Sequence, residues 1–153
     1  MRTARALGAA AAAFAVVLAG CGGGGRLSKA EYEQTLRSAG NELSTAVDHL
    51  QQARSKEEFE HDVSDVQRAL DAAADDLDAV SPPEDVEGAN DRLVHGLRGL
   101  AHDFEEVRDA ADQSVDAATS KAQQIRSGTA SREAQQAVEE LKRKGYDIGT
   151  FGS

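Results

Sequence analysis

The sequence holds one cysteine, two prolines and no tryptophan, and aromatic residues fill only 4% of its 153 positions. A single cysteine excludes an intrachain disulfide, a Cys-x-x-Cys redox pair and a thiolate zinc cage. The fold therefore rests on packing alone. The two prolines are adjacent, Pro82 and Pro83, so proline interrupts a helix nowhere else. Neither a Gly-x-x-x-x-Gly-Lys phosphate loop nor a Gly-x-Ser-x-Gly elbow occurs. Basic charge is scarce as well: 17 Lys and Arg stand against 27 Asp and Glu, a net charge of −10. Such a surface repels nucleic-acid phosphates and anionic lipid headgroups, and it suits cations or a basic partner. Long apolar runs are absent except at the very start of the chain.

That start is distinctive. Arg2 and Arg5 precede an apolar stretch, Ala6 to Ala19, interrupted only by Gly8. At about 14 residues it falls short of the roughly 20 that span a bilayer. A positive start, a short apolar run and small residues at its end are the three parts of a secretory signal. The stretch closes with Leu18-Ala19-Gly20-Cys21 and four glycines follow. The four residues resemble the lipobox of bacterial lipoproteins. The resemblance implies cleavage between Gly20 and Cys21 and a diacylglyceryl group on the Cys21 sulfur, with the protein held on the extracytoplasmic face of the cell membrane. One acyl chain anchors a protein only marginally, whereas two anchor it stably. The expected organisation is a signal peptide over 1–20, an acylated cysteine and glycine-rich tether over 21–27, and one helical domain over 28–153. Gly22 to Gly25 carry no side chains to pack, and five residues from Cys21 reach at most about 17 Å, so the body sits close to the bilayer. Without residues 1–20 the chain has 15 basic against 27 acidic groups, a net of −12. The remaining 133 residues suit a single domain that buries roughly two-thirds of its unfolded surface.

The body reads as helical throughout. Tyr32, Leu36, Ala39, Leu43 and Leu50 recur at steps of three and four, as do Phe59, Val63, Val66, Leu70, Ala73 and Leu77. A third stripe runs unbroken from Val86 through Leu93, Leu97, Leu100, Phe104, Val107, Ala111, Ser114 and Ala118 to Ile125. This spacing places apolar side chains on one face of a helix, and no segment shows the alternation of a strand. Ser28-Lys-Ala-Glu31, Ser55-Lys-Glu-Glu58 and Ser81-Pro-Pro-Glu84 have the form of capping boxes. The expected fold is all-α: an up-down helical bundle of three to four helices. Its long third helix covers 84–126, with a bend at Asp109 to Gln113 as the alternative. A short fourth helix, 130–144, packs on the distal half of the third, where Ala110, Ala111, Ala118 and Ala122 face Ala134 and Ala137. Gly96 and Gly99 weaken the third helix by roughly 1 kcal/mol each but admit a close neighbour. Lys142, Arg143 and Lys144 suit the negative end of a helix. Tyr146, Ile148 and Phe151 are expected to fold back over the bundle end. The heptad-like third helix can also pair with a copy of itself as a coiled coil.

Chemistry-bearing residues are few. Glu58-x-x-His61 has the spacing of a di-iron carboxylate bundle, but such a site needs two pairs and no second Glu-x-x-His occurs. His102-x-x-Glu105 is similar to the His-x-x-Glu of the imelysin-like iron-uptake family, with no further residues in support. His95 and His102, seven apart on one helix face, are the candidate metal ligands, with Asp91, Asp103 and Glu106 nearby and His49 able to join from the first helix. Asp71, Asp75, Asp76 and Asp78 line one flank of the second helix. Calcium wants six to eight converging oxygens, which a helix flank holds apart. No nucleophile–base pair is legible, so no enzyme activity and no cofactor are expected.

The run Ala79-Val-Ser-Pro-Pro-Glu-Asp-Val86, followed by Ala89-Asn-Asp-Arg-Leu-Val-His-Gly-Leu97, is similar to small helical lipoproteins of high-GC Gram-positive bacteria. The likeness covers the signal and roughly residues 75–110, and it implies no site residues. The expected role is non-enzymatic binding or scaffolding at the cell envelope. The membrane contact runs through the lipid, and a protein or envelope partner meets the distal tip or the acidic helix face. The alternative is an accessory metal- or solute-binding lipoprotein that uses the His95/His102 face.

Overall fold

A computed structural model of the protein describes residues 25–151, and all regular structure among them is helical. The signal, cleavage and lipid-attachment readings at 1–21, Gly20 and Cys21 included, lie outside the described residues. The helices are α1 (Lys29–Gln52), α2 (Lys56–Asp78), α3 (Glu87–Gln113), α4 (Val115–Arg126) and α5 (Thr129–Arg143), with a 3-10 turn at Glu84–Val86 leading into α3. None of them is long and apolar enough to cross a membrane.

Two of the three serine caps form as read. Ser28 accepts from the Glu31 amide while the Glu31 carboxylate accepts from the Ser28 amide at 2.8 Å. Ser55 accepts from the Glu58 amide at 3.1 Å, and the Glu58 carboxylate reaches one residue further, to the Arg54 amide. Ser81 is not a cap. Its carbonyl instead accepts from the Leu27 amide at 2.7 Å, and Pro83 stands at the start of the 3-10 turn. Proline has no amide to give, so this entry is set by backbone shape and by the incoming N-terminal segment.

Helices α1, α2 and α3 run up, down and up. At one end, here the base, the Tyr32 hydroxyl of α1 donates to Asn90 Oδ1 of α3 at 2.8 Å, and Asn90 Nδ2 donates to the Leu77 carbonyl of α2 at 3.1 Å. At the tip, Lys56 Nζ at the start of α2 donates to the Asp112 carbonyl near the end of α3.

The long third helix ends earlier than its apolar stripe. The chain breaks at Ser114, which is extended (φ −171°, ψ 156°) and caps α4 through the Ala117 amide at 3.1 Å. The break falls one residue past the Asp109–Gln113 bend. It arises because the distal half can fold back and bury Ala118 and Ile125 against Val107, Ala111 and Val63, whereas a straight helix leaves that face bare. There is consequently no overhang. The expected alanine seam does not form either: Ala134 and Ala137 belong to the base core and Ala111 and Ala118 to the tip core. Helix α5 packs on α3 itself, on its N-terminal half. The reason is Gly96 and Gly99. A Cβ at Gly96 would lie 2.7 Å from the Ala134 amide nitrogen, and one at Gly99 would lie 2.7 Å from Ala130 Cβ. Only glycine lets the two backbones approach so closely. Helices α4 and α5 thus form a fourth, downward limb, jointed at Gly128.

Gly145 (φ 79°) closes α5, with the Tyr146 amide bonded back to the Leu141 carbonyl at 3.0 Å. Residues 146–151 then fold back as expected, but they climb along the side of α1 as a strap, past Arg37 to Gly40, rather than over the bundle end. Tyr146 packs edge-on against Tyr32, with centroids 5.9 Å apart, under the ammonium of Lys29. Ile148 is buried, and the Phe151 ring rests against Gly40. The base core contains the fully buried Leu36, Leu77, Leu93, Leu97 and Leu141, each contributing about 2 kcal/mol by burial. From α4 the tip core receives only Ala118 and Ile125 as buried side chains.

Candidate functional site

The candidate histidines lie where the fourth limb is jointed. His95, His102, Asp103 and Glu106 of α3 form one wall of a cleft of about 430 Å³, and Lys121, Gln124, Gly128, Thr129 and Glu133 form the other. Helical spacing alone puts the α3 residues on one face. The opposite wall exists because α4 ends at Arg126 and α5 starts at Thr129, which leaves a cleft between this joint and α3.

Within the cleft each imidazole already has a carboxylate. His95 Nδ1 donates to Glu133 Oε2 at 2.7 Å, linking α3 to α5. His102 Nδ1 donates to Glu105 Oε2 at 3.2 Å, one turn along its own helix. Glu106 pairs with Lys121 of α4, and that ammonium holds the Glu106 carboxyl below its ordinary value, helped by His102. Both imidazoles are largely exposed. The cleft is therefore lined by solvated, already paired side chains rather than by a buried ligand cage.

Two of the residues expected to join are elsewhere. Asp91 lines a separate hollow at the base with Arg26, Pro82 and Glu87. His49 is on α1, which packs on α2 and contributes nothing to the cleft. Glu133 and Lys121, in contrast, escaped sequence reasoning. They come from 38 and 19 residues beyond His95 and His102 respectively, and only the fold-back at Ser114 brings them near.

The Glu58–His61 pair is not assembled either, since Glu58 faces the Arg54 amide. His61 sits instead beside Asp62 and Asp65, at 3.6 and 3.4 Å. Among the described residues this is the one place where three potential metal ligands lie within 4.8 Å of one another. Arg68 already pairs with Asp65, and His61 is exposed. On the acidic flank of α2, Arg98 of α3 bridges Asp75 at 3.1 Å and Asp78 at 2.9 Å, while Asp71 and Asp76 face solvent.

No protein-family model, curated protein or solved structure matches the chain.

Proposed function

We propose that the protein is a lipid-anchored helical module, attached through Cys21 to the outer face of the cytoplasmic membrane, with a non-enzymatic binding or scaffolding role. The observation that carries this reading is Leu18-Ala19-Gly20-Cys21 at the end of a short apolar run, followed at once by a glycine tether. The entry of the chain into the fold supports it. Leu27 bonds to the Ser81 carbonyl, and Arg26 bonds to the Pro82 carbonyl at 3.1 Å and pairs with Glu87 at 2.8 Å. These contacts tie the tether to the base of the bundle. The tip is then the end turned away from the membrane and toward a protein or envelope partner, whereas Asp75 and Asp78 stand near the base, with Asp78 beside the entry of the tether.

Cys21→Ser tests the anchor. The expected outcome is loss of palmitate labelling and transfer of the chain from the membrane to the soluble fraction, with helical circular dichroism retained. Unchanged membrane fractionation overturns the reading.

A second reading, an accessory cation-binding lipoprotein, is favoured by one observation: His95 and His102 share a cleft with Asp103, Glu106 and Glu133. Calorimetry with zinc and copper tests it, and absence of binding tighter than about 100 μM ends it.

A further inference from the structure

The apolar stripe and the fold disagree at Ser114, and the disagreement has a structural meaning. Eighteen residues are five turns of α-helix. Ile125 lies eighteen residues after Val107, and Val115 lies eighteen after Leu97. Were α3 and α4 one straight helix, Val115 would stand in line with Leu97, and Ile125 in line with Val107. The corner forgoes this. Val115 is 47% exposed, the one large apolar side chain so exposed among the described residues.

Nothing covalent enforces the corner. No glycine or proline occurs between Leu100 and Ser127, and the turn consists of Ser114 alone. Straightening it extends the hydrogen-bonded backbone through the last carbonyls of α3 and the first amides of α4, which a corner leaves to a cap and to water. What holds α4 back against α3 is modest: Ala118, Ile125 and the Lys121–Glu106 ion pair. All of these contacts can be made equally well by α4 of another molecule.

We propose that two copies of this chain exchange their fourth limbs. In the exchanged dimer, α3 and α4 form one helix of about 60 Å. Two such helices run antiparallel across a twofold axis near Ser114, and α4, α5 and the strap of each chain occupy the places they hold in the monomer. Val107 and Ala111 then meet Ala118 and Ile125 of the second copy, and Val115 lies beside the axis against the same stretch of its mate. A one-residue connection favours such exchange, because a short hinge stops a chain folding back easily while leaving the intermolecular route open.

Cross-linking distinguishes the two forms. In a Cys21→Ser background the full chain has no thiol of its own, and Glu106→Cys with Lys121→Cys puts one thiol on each side of the α3–α4 seam. A short bis-maleimide then links a hairpin chain to itself, but links an exchanged pair into a covalent dimer. After refolding at high concentration, Ser114→Ala removes the α4 cap on both chains and is expected to raise the covalent-dimer fraction about tenfold. Two glycines inserted after Ser114 lengthen the hinge and are expected to abolish the dimer, with circular dichroism unchanged. Absence of covalent dimer in Ser114→Ala, or equal dimer in the glycine-lengthened chain, overturns the proposal.

Discussion

Asn90 is the single buried polar side chain in the core of the described residues, and both its amide groups are satisfied, by Tyr32 and by the Leu77 carbonyl. It ties three helices at one point. Tyr32→Phe leaves Asn90 Oδ1 buried without a donor and is expected to cost about 1–3 kcal/mol, read as a fall in the urea midpoint. The same tyrosines set an alkaline limit. Burial raises the Tyr32 phenol above its ordinary value of 10.0, and burial plus the bond to Asp85 raises Tyr146 to about 12. These are the only two tyrosines in the chain. A group whose pKa is raised on folding contributes stability that is whole below the unfolded value and is lost as pH climbs toward the folded one. Stability is therefore expected to fall between about pH 10 and pH 12. Phenolate absorbance is expected to appear together with loss of helical dichroism. A normal phenolate titration near pH 10 in a chain that stays folded contradicts this.

At the scale of helices, glycine position separates two effects that propensity alone merges. Gly88, near the start of α3, has nothing within 4 Å of an added Cβ. Gly88→Ala is expected to stabilise by a few tenths to about 1 kcal/mol. Gly96→Ala gains the same propensity but drives a methyl into the Ala134 amide, the Ala134 Cβ and the Ala130 carbonyl at 2.7–3.0 Å. Backbone cannot give way as a side-chain tip can, so a net loss of about 1–3 kcal/mol is expected. Equilibrium unfolding of the two variants side by side checks both signs. The helices themselves were legible because caps and stripes agreed at α1, α2 and α5. Ser81 misled because its carbonyl rather than its hydroxyl is the group in use.

At the scale of the molecule, the bundle is unevenly fastened. Leucines, the Tyr32–Asn90 network and the strap close the base, while α4 covers the tip with one isoleucine and alanines. Amides of 115–126 are expected to exchange with solvent faster than those of central α3 and of α5. Equal protection in hydrogen-exchange mass spectrometry contradicts the asymmetry. The sequence by itself determined the all-helical class, the up-down order of the first three helices and the shared face of His95 and His102, because these follow from local spacing, caps and connection lengths. Only the tertiary structure decided that the third stripe turns back at Ser114, that α5 lies on Gly96 and Gly99, and that Lys121 and Glu133 complete the cleft. A continuous stripe is equally compatible with a straight helix and a hairpin. The choice between them depends on which apolar surface, tens of residues away, is there to be covered.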